Sequence, residues 1–272
     1  MPKPHAPVPT RPVFLRHAAI VLGLTSCAAG PHGDDDMLTQ SAATVAGLVA
    51  AYGFEEGAGA TTGDATGNGH TGSLRAALWT TEGRFGKALA FNGSSAWVHV
   101  GDADDLDLTT GMTLSAWVKP SRTLVRWPTI VMKEGATLMA YCLYAGSSTA
   151  NPSTYTVIQG VEQGLHGGTT LPVGQWRHVA ATYDGAKLAL YVDGQKVAER
   201  AQTGAIARSA GALRIGGTAL WNDEFFAGTI DEVRIYDRAL VAAEIQADMT
   251  RSVVGGGAPH PPGVDAGALD AP

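Results

Sequence analysis

The chain has 272 residues, 45% of them hydrophobic and 16% charged, with 35 glycines, two cysteines and a formal net charge of −6 at neutral pH. That length accommodates one large β domain or two small ones, and the glycine content with the scarcity of long helical periods favours many short strands joined by tight turns. The acidic balance argues against nucleic acid and against an anionic membrane surface as partners.

The first 26 residues have the form of an export signal. Lys3, Arg11 and Arg16 precede the short apolar run Ala18 to Leu24, and no acid occurs before Asp34. The run is too short to span a bilayer as a permanent helix. It ends in Leu24-Thr25-Ser26-Cys27, which is similar to a bacterial lipobox; that resemblance implies a diacylated Cys27 as the first mature residue, and Ala28 in place of an aspartate directs the anchor to the outer membrane. An ordinary secretory signal with a chance cysteine is the alternative. Removing the signal takes 3 of the 19 basic side chains and no acid, leaving 16 against 25, a balance of −9. Residues 27–44, small and polar with consecutive acids at Asp34, Asp35 and Asp36, are expected to form a flexible tether.

From about residue 45 to 250 strand patterns dominate. The stretch AFNGSSAWVHV is expected to be a hairpin turning near Asn92-Gly93. In MTLSAWVKP, Met112, Leu114, Ala116 and Val118 alternate with Thr113, Ser115, Trp117 and Lys119, the period-2 pattern of a strand with two different faces. Cys142, in LMAYCLYAG, has no partner if Cys27 carries lipid and is expected to be a buried small hydrophobe. WRHVAATYDG and LALYVDGQKVAER predict three strands in succession, turning at Asp184-Gly185 and Asp193-Gly194. The segment GTIDEVRIYDRAL combines Ile230, Val233 and Ile235 with Asp231, a carboxylate that is expensive in a buried strand unless a cation or several donors meet it. A helix is expected at 239–249, and residues 251–272, rich in Gly, Ala and Pro, are expected to be a disordered tail.

Five blocks in this order, AYGFEEGAG, RFGKALAFNGSSAWVHV, MTLSAWVKP, GQWRHVAATYDGAKLALYVDGQKV and IDEVRIYDRAL, resemble the LamG-like jelly-roll domains of the concanavalin A-like lectin and glucanase superfamily. The resemblance implies an all-β, two-sheet antiparallel sandwich with one short C-terminal helix. Relatives commonly cap that helix with Ser or Thr, and Val241 departs from the pattern, so a short helix is expected. The resemblance also implies a structural calcium. Its pattern carries onto Asp64 and Asp231 as carboxylate ligands, with Asn68 and His70 supplying main-chain carbonyls from the loop DATGNGHTG and Glu55 or Glu56 as an additional ligand. The competing reading makes Asp64 a turn residue and leaves Asp231 to backbone donors.

Trp127 and Trp221 stand in turn-forming surroundings. Their rings would stack on a sugar face while Arg126, Asn222 and Asp223 bond hydroxyls, or else they cap the ends of the core. The string GNGHTG lacks the strand–turn–helix context of a dinucleotide site. Acids on one strand in a Glu-x-Asp-x-x-Glu arrangement are absent, Asp231-Glu232 is expected to alternate between faces, and G-x-S-x-G, H-E-x-x-H and C-x-x-C are missing. The expectation is a non-catalytic, exported binding module for a glycan or a cell-surface protein. A glycoside hydrolase or lyase, or an adhesive envelope component, are the alternatives.

Overall fold

The computed structural model describes residues 46–253. The signal, the whole of the tether including Cys27, and nearly all of the C-terminal tail lie outside the described residues. The strands are β1 (Leu48–Tyr52), β2 (Thr61–Thr62), β3 (Gly72–Arg75), β4 (Leu78–Thr80), β5 (Ala88–Asn92), β6 (Trp97–Val100), β7 (Met112–Pro120) and β8 (Thr129–Glu134). They continue as β9 (Met139–Tyr144), β10 (Ser153–Ile158), β11 (Val161–His166), β12 (Arg177–Tyr183), β13 (Lys187–Val192), β14 (Gln195–Ala201), β15 (Leu213–Ile215) and β16 (Ala227–Tyr236), followed by helix α1 (Ala242–Asp248).

All pairings are antiparallel, and two eight-stranded sheets form a jelly-roll sandwich. One runs β14-β13-β12-β7-β16-β5-β4 with β1 also on β16, and the other runs β11-β10-β9-β8-β15-β6-β3-β2. Between them lies the main core, to which Met112, Leu114, Ala116 and Val118 contribute from β7 as the alternation requires. The opposite face of β7 is also covered: Trp117 packs with Phe85 and Trp176, against Met249 beyond α1. The turns at Gly185 (φ +84°) and at Asp193-Gly194 (φ +49° and +71°) occupy the left-handed region that tight hairpins need, which is why the sequence pairs Asp with Gly there.

The turn at Asn92-Gly93 corrects the hairpin expectation. Strand β5 belongs to the first sheet and β6 to the second, so the chain crosses the sandwich here. Asn92 Oδ1 accepts from the amides of Ser94, Ser95 and Ala96, satisfying in the turn the donors that a ladder would otherwise pair. Helix α1 is shorter than the predicted 239–249. No side chain of Val241 caps it; instead Glu244 accepts from the Val241 amide at 2.9 Å and is gripped by Arg238 at 2.8 and 3.0 Å. The domain also extends past residue 250, because Arg234 donates to the Arg251 carbonyl and Glu232 accepts from the Val253 amide at 2.7 Å.

Candidate functional site

Asp231 lies in a seam of the first sheet. Along one edge of β16, β5 pairs with Ala227–Ile230 and β1 pairs with Val233–Tyr236, so the partner changes at Asp231-Glu232. On the other edge the register against β7 slips between Asp231 and Arg234, and Glu232 takes a φ of +55°. This bulge breaks the alternation expected of the pair, and both acids are fully buried. Asp231 Oδ2 accepts from the amides of Arg84 (2.8 Å) and Phe85 (3.0 Å), and Oδ1 from that of Glu232 (2.8 Å). Burial, with Glu232 adjacent, pushes its carboxyl up to about 8 while the three amides pull the other way. Glu232 accepts from Arg234 (2.9 Å), Ser252 and Val253.

Asp64 has a different set of partners. Its Oδ1 accepts from the Ala51 and Thr66 amides, both at 3.0 Å, and its Oδ2 from the Thr66 hydroxyl at 2.7 Å and more distantly from the His70 amide. Asn68 donates its side-chain amide to the Val49 carbonyl, and the His70 carbonyl accepts from the Tyr52 hydroxyl at 2.7 Å. Glu55 accepts from the Lys87 amide and Glu56 from Gly63 and Thr62. The two carboxylates expected to share an ion therefore bond separate segments, and N–H and O–H groups already point at their oxygens. Among the described residues no three metal-ligating side chains converge. This donor-filled arrangement does not fit a calcium ion held jointly by Asp64 and Asp231.

The aromatic expectation leads to a cleft on the outer face of the second sheet. Trp127 and Trp221 do not cap the main core. They lie half-buried on a separate cluster formed by Met132, Met139, Cys142, Tyr144 and Val157. Cys142 is fully buried, its thiol pushed well up by desolvation. The two indoles join Tyr144, Tyr155, Glu162 and Glu224 around a cleft of about 170 Å³. Tyr144 and Tyr155 meet edge to face at 5.8 Å, Trp127 Nε1 donates to the Tyr155 hydroxyl at 3.2 Å, and His166 Nε2 lies 3.1 Å from that same hydroxyl.

The Tyr144 hydroxyl donates to Glu224 Oε2 at 2.8 Å. Burial raises Glu224 to about 7, assisted by Asp223 and Glu162 and opposed by the Tyr144 bond. The other three predicted ligand contacts, Arg126, Asn222 and Asp223, are exposed and line a neighbouring, larger cleft of about 490 Å³, where Arg126 and Asp223 form an ion pair. The predicted set is thus divided between two adjacent hollows. Tyr144, Tyr155, Glu162 and Glu224 were not anticipated, since they come from β9, β10, β11 and a loop and only the strand register aligns them.

Residues 92–246 match a laminin G-type family of the concanavalin A-like lectin/glucanases superfamily. The chain belongs to that superfamily. Among solved structures, it is similar to domain 4 of AbnA, a GH43 extracellular arabinanase from Geobacillus stearothermophilus in complex with arabinotriose, with a TM-score of 0.63 at 24% identity, covering 75% of this chain and 98% of that one. It is also similar to the binding domain of Paraclostridial Mosquitocidal Protein 1 (TM-score 0.61, 17% identity), covering 75% of this chain and 52% of that one. A third similar structure is the botulinum neurotoxin serotype G binding domain (TM-score 0.58, 12% identity), covering 74% of this chain and 50% of that one. At these identities the likeness establishes the superfamily fold. A stretch of 81 residues is 40% identical to Mus musculus pappalysin-1, covering 28% of this chain, and the match spans 5% of pappalysin-1.

Proposed function

We propose that this superfamily domain is a non-catalytic module that binds a glycan through the aromatic cleft on its second sheet. One observation carries the reading: two indoles and two phenols converge with two carboxylates in a hollow outside the core, a composition that stacks on sugar faces and accepts from hydroxyls. The similar solved structures include an arabinanase domain complexed with arabinotriose and two toxin binding domains, which supports a binding role. The module works outside the cell, attached by lipid at Cys27, so that the wild type partitions with membranes and incorporates radiolabelled palmitate. No helix among the described residues is long and apolar enough to cross a membrane. A glycan array is the direct test, and binding to a cell-surface protein with no glycan hit would replace the ligand class.

A glycoside hydrolase reading is favoured by one feature, a buried Glu224 whose carboxyl is held near neutrality in the same cleft as Glu162. Release of reducing ends from a bound glycan, lost in Glu224→Gln, would establish it over the binding reading.

A further inference from the structure

We propose that the cleft selects a ligand bearing an ammonium group, carried on the glycan as a free amino sugar or a choline substituent. The inference rests on the glycan reading and specifies the chemistry of its ligand. The rings of Trp127, Trp221, Tyr144 and Tyr155 line the hollow, the two tyrosines edge to face, and the carboxylates of Glu162 and Glu224 stand among them, while no lysine or arginine lines it. The nearby guanidinium of Arg126 is engaged by Asp223 in the adjacent cleft.

Glu224 is only 8% exposed, and the Tyr144 hydroxyl occupies one of its oxygens, leaving the other without a protein donor among the described residues. The Tyr155 hydroxyl is already tied to Trp127 and His166. What the cleft leaves open is therefore negative potential and one acceptor oxygen within reach of solvent. A neutral sugar uses its flat faces and leaves the carboxylates to hydroxyls, whereas an ammonium group interacts with rings and acids together.

The titratable groups facing Glu224 are Tyr144, Glu162 and Asp223. With its carboxyl at about 7 in the free protein, a bound cation favours the ionised form, so binding near neutral pH releases a proton.

The test is calorimetry on the full chain with two matched pairs: choline against its neutral tert-butyl analogue in which carbon replaces nitrogen, and glucosamine oligomers against N-acetylglucosamine oligomers of equal length. The cationic member of at least one pair should bind roughly tenfold tighter, and the pair showing the larger ratio identifies the source of the ammonium. That preference should shrink in Glu162→Gln, an exposed position whose replacement leaves the fold intact, and in Glu224→Gln, where proton release should vanish. Equal affinity within both pairs overturns the ammonium inference while leaving the glycan reading in place if the oligomers bind. Choline binding with no glycan bound at all overturns the glycan reading and keeps the charge selection.

Discussion

Replacing Asp231 separates a donor-held acid from a metal-held one. Its carboxylate takes three backbone amides, two of them from a segment about 147 residues away in sequence, and it closes the gap where β16 exchanges β5 for β1. Asp231→Ala leaves those three amides buried without acceptors, at about 1–3 kcal/mol each. Relief from burying a carboxyl that desolvation pushes to about 8 offsets part of this, for a net loss of about 1–5 kcal/mol. In a domain of this size the melting temperature should fall by roughly 10 °C. Asp231→Asn keeps one acceptor oxygen but turns an amide donor toward a backbone N–H, so it should lose about 1–2 kcal/mol.

Because the folded carboxyl lies above its unfolded value of about 4, its contribution is full below that value and fades as pH rises toward 8, so the gap to Asp231→Asn should narrow with pH. Thermal melts of the wild type and both variants, with and without a chelator, read all of this. The donor account requires the order wild type, Asn, Ala at acidic pH, where the carboxyl is protonated in both states, and no chelator effect. A chelator that lowers the wild type to the level of Asp231→Asn, or calcium found by elemental analysis, would refute it.

Two further outcomes follow from the same chemistry. Glu224→Gln retains an acceptor for Tyr144 while removing a carboxyl raised from about 4.5 to about 7, so the wild type should lose stability relative to the variant across that pH window, by about 2 kcal/mol above it; parallel pH–melting curves would count against the burial argument. Cys27→Ser should leave the protein soluble or as an uncleaved precursor, and palmitate absent from the wild type would remove the lipid anchor.

What could be read in the sequence was local. The alternation from Met112 to Lys119 and the Asp-Gly turns at 184–185 and 193–194 are properties of neighbouring residues, and the structure has them where the pattern puts them. Asn92-Gly93 carries the same turn chemistry but serves a crossing between sheets, because only the choice of partner strand tells a hairpin from a crossover. The bulge at Asp231-Glu232 was hidden for a related reason: Glu232's positive φ is imposed by the slip against β7, and Asp231's donors come from a distant loop. Of the site, the sequence marked the two tryptophans. The tyrosines looked like ordinary strand residues until Ser153 paired with Tyr144 and Tyr155 with Cys142, a register that sets the two rings edge to face with the Tyr155 hydroxyl in reach of Trp127 Nε1.

The most direct measurement is the affinity of the array-identified glycan for wild type and Trp221→Ala, taken with a near-ultraviolet spectrum to show that the variant is folded. Trp221 packs on the satellite cluster, so some loss of stability, a few °C, accompanies the change. The account predicts a loss of about 1–3 kcal/mol in binding, tenfold or more, with Trp127→Ala weaker in the same direction and Arg126→Ala close to wild type. Unchanged affinity in a folded Trp221→Ala would place glycan recognition elsewhere on the domain and contradict the assignment of this cleft.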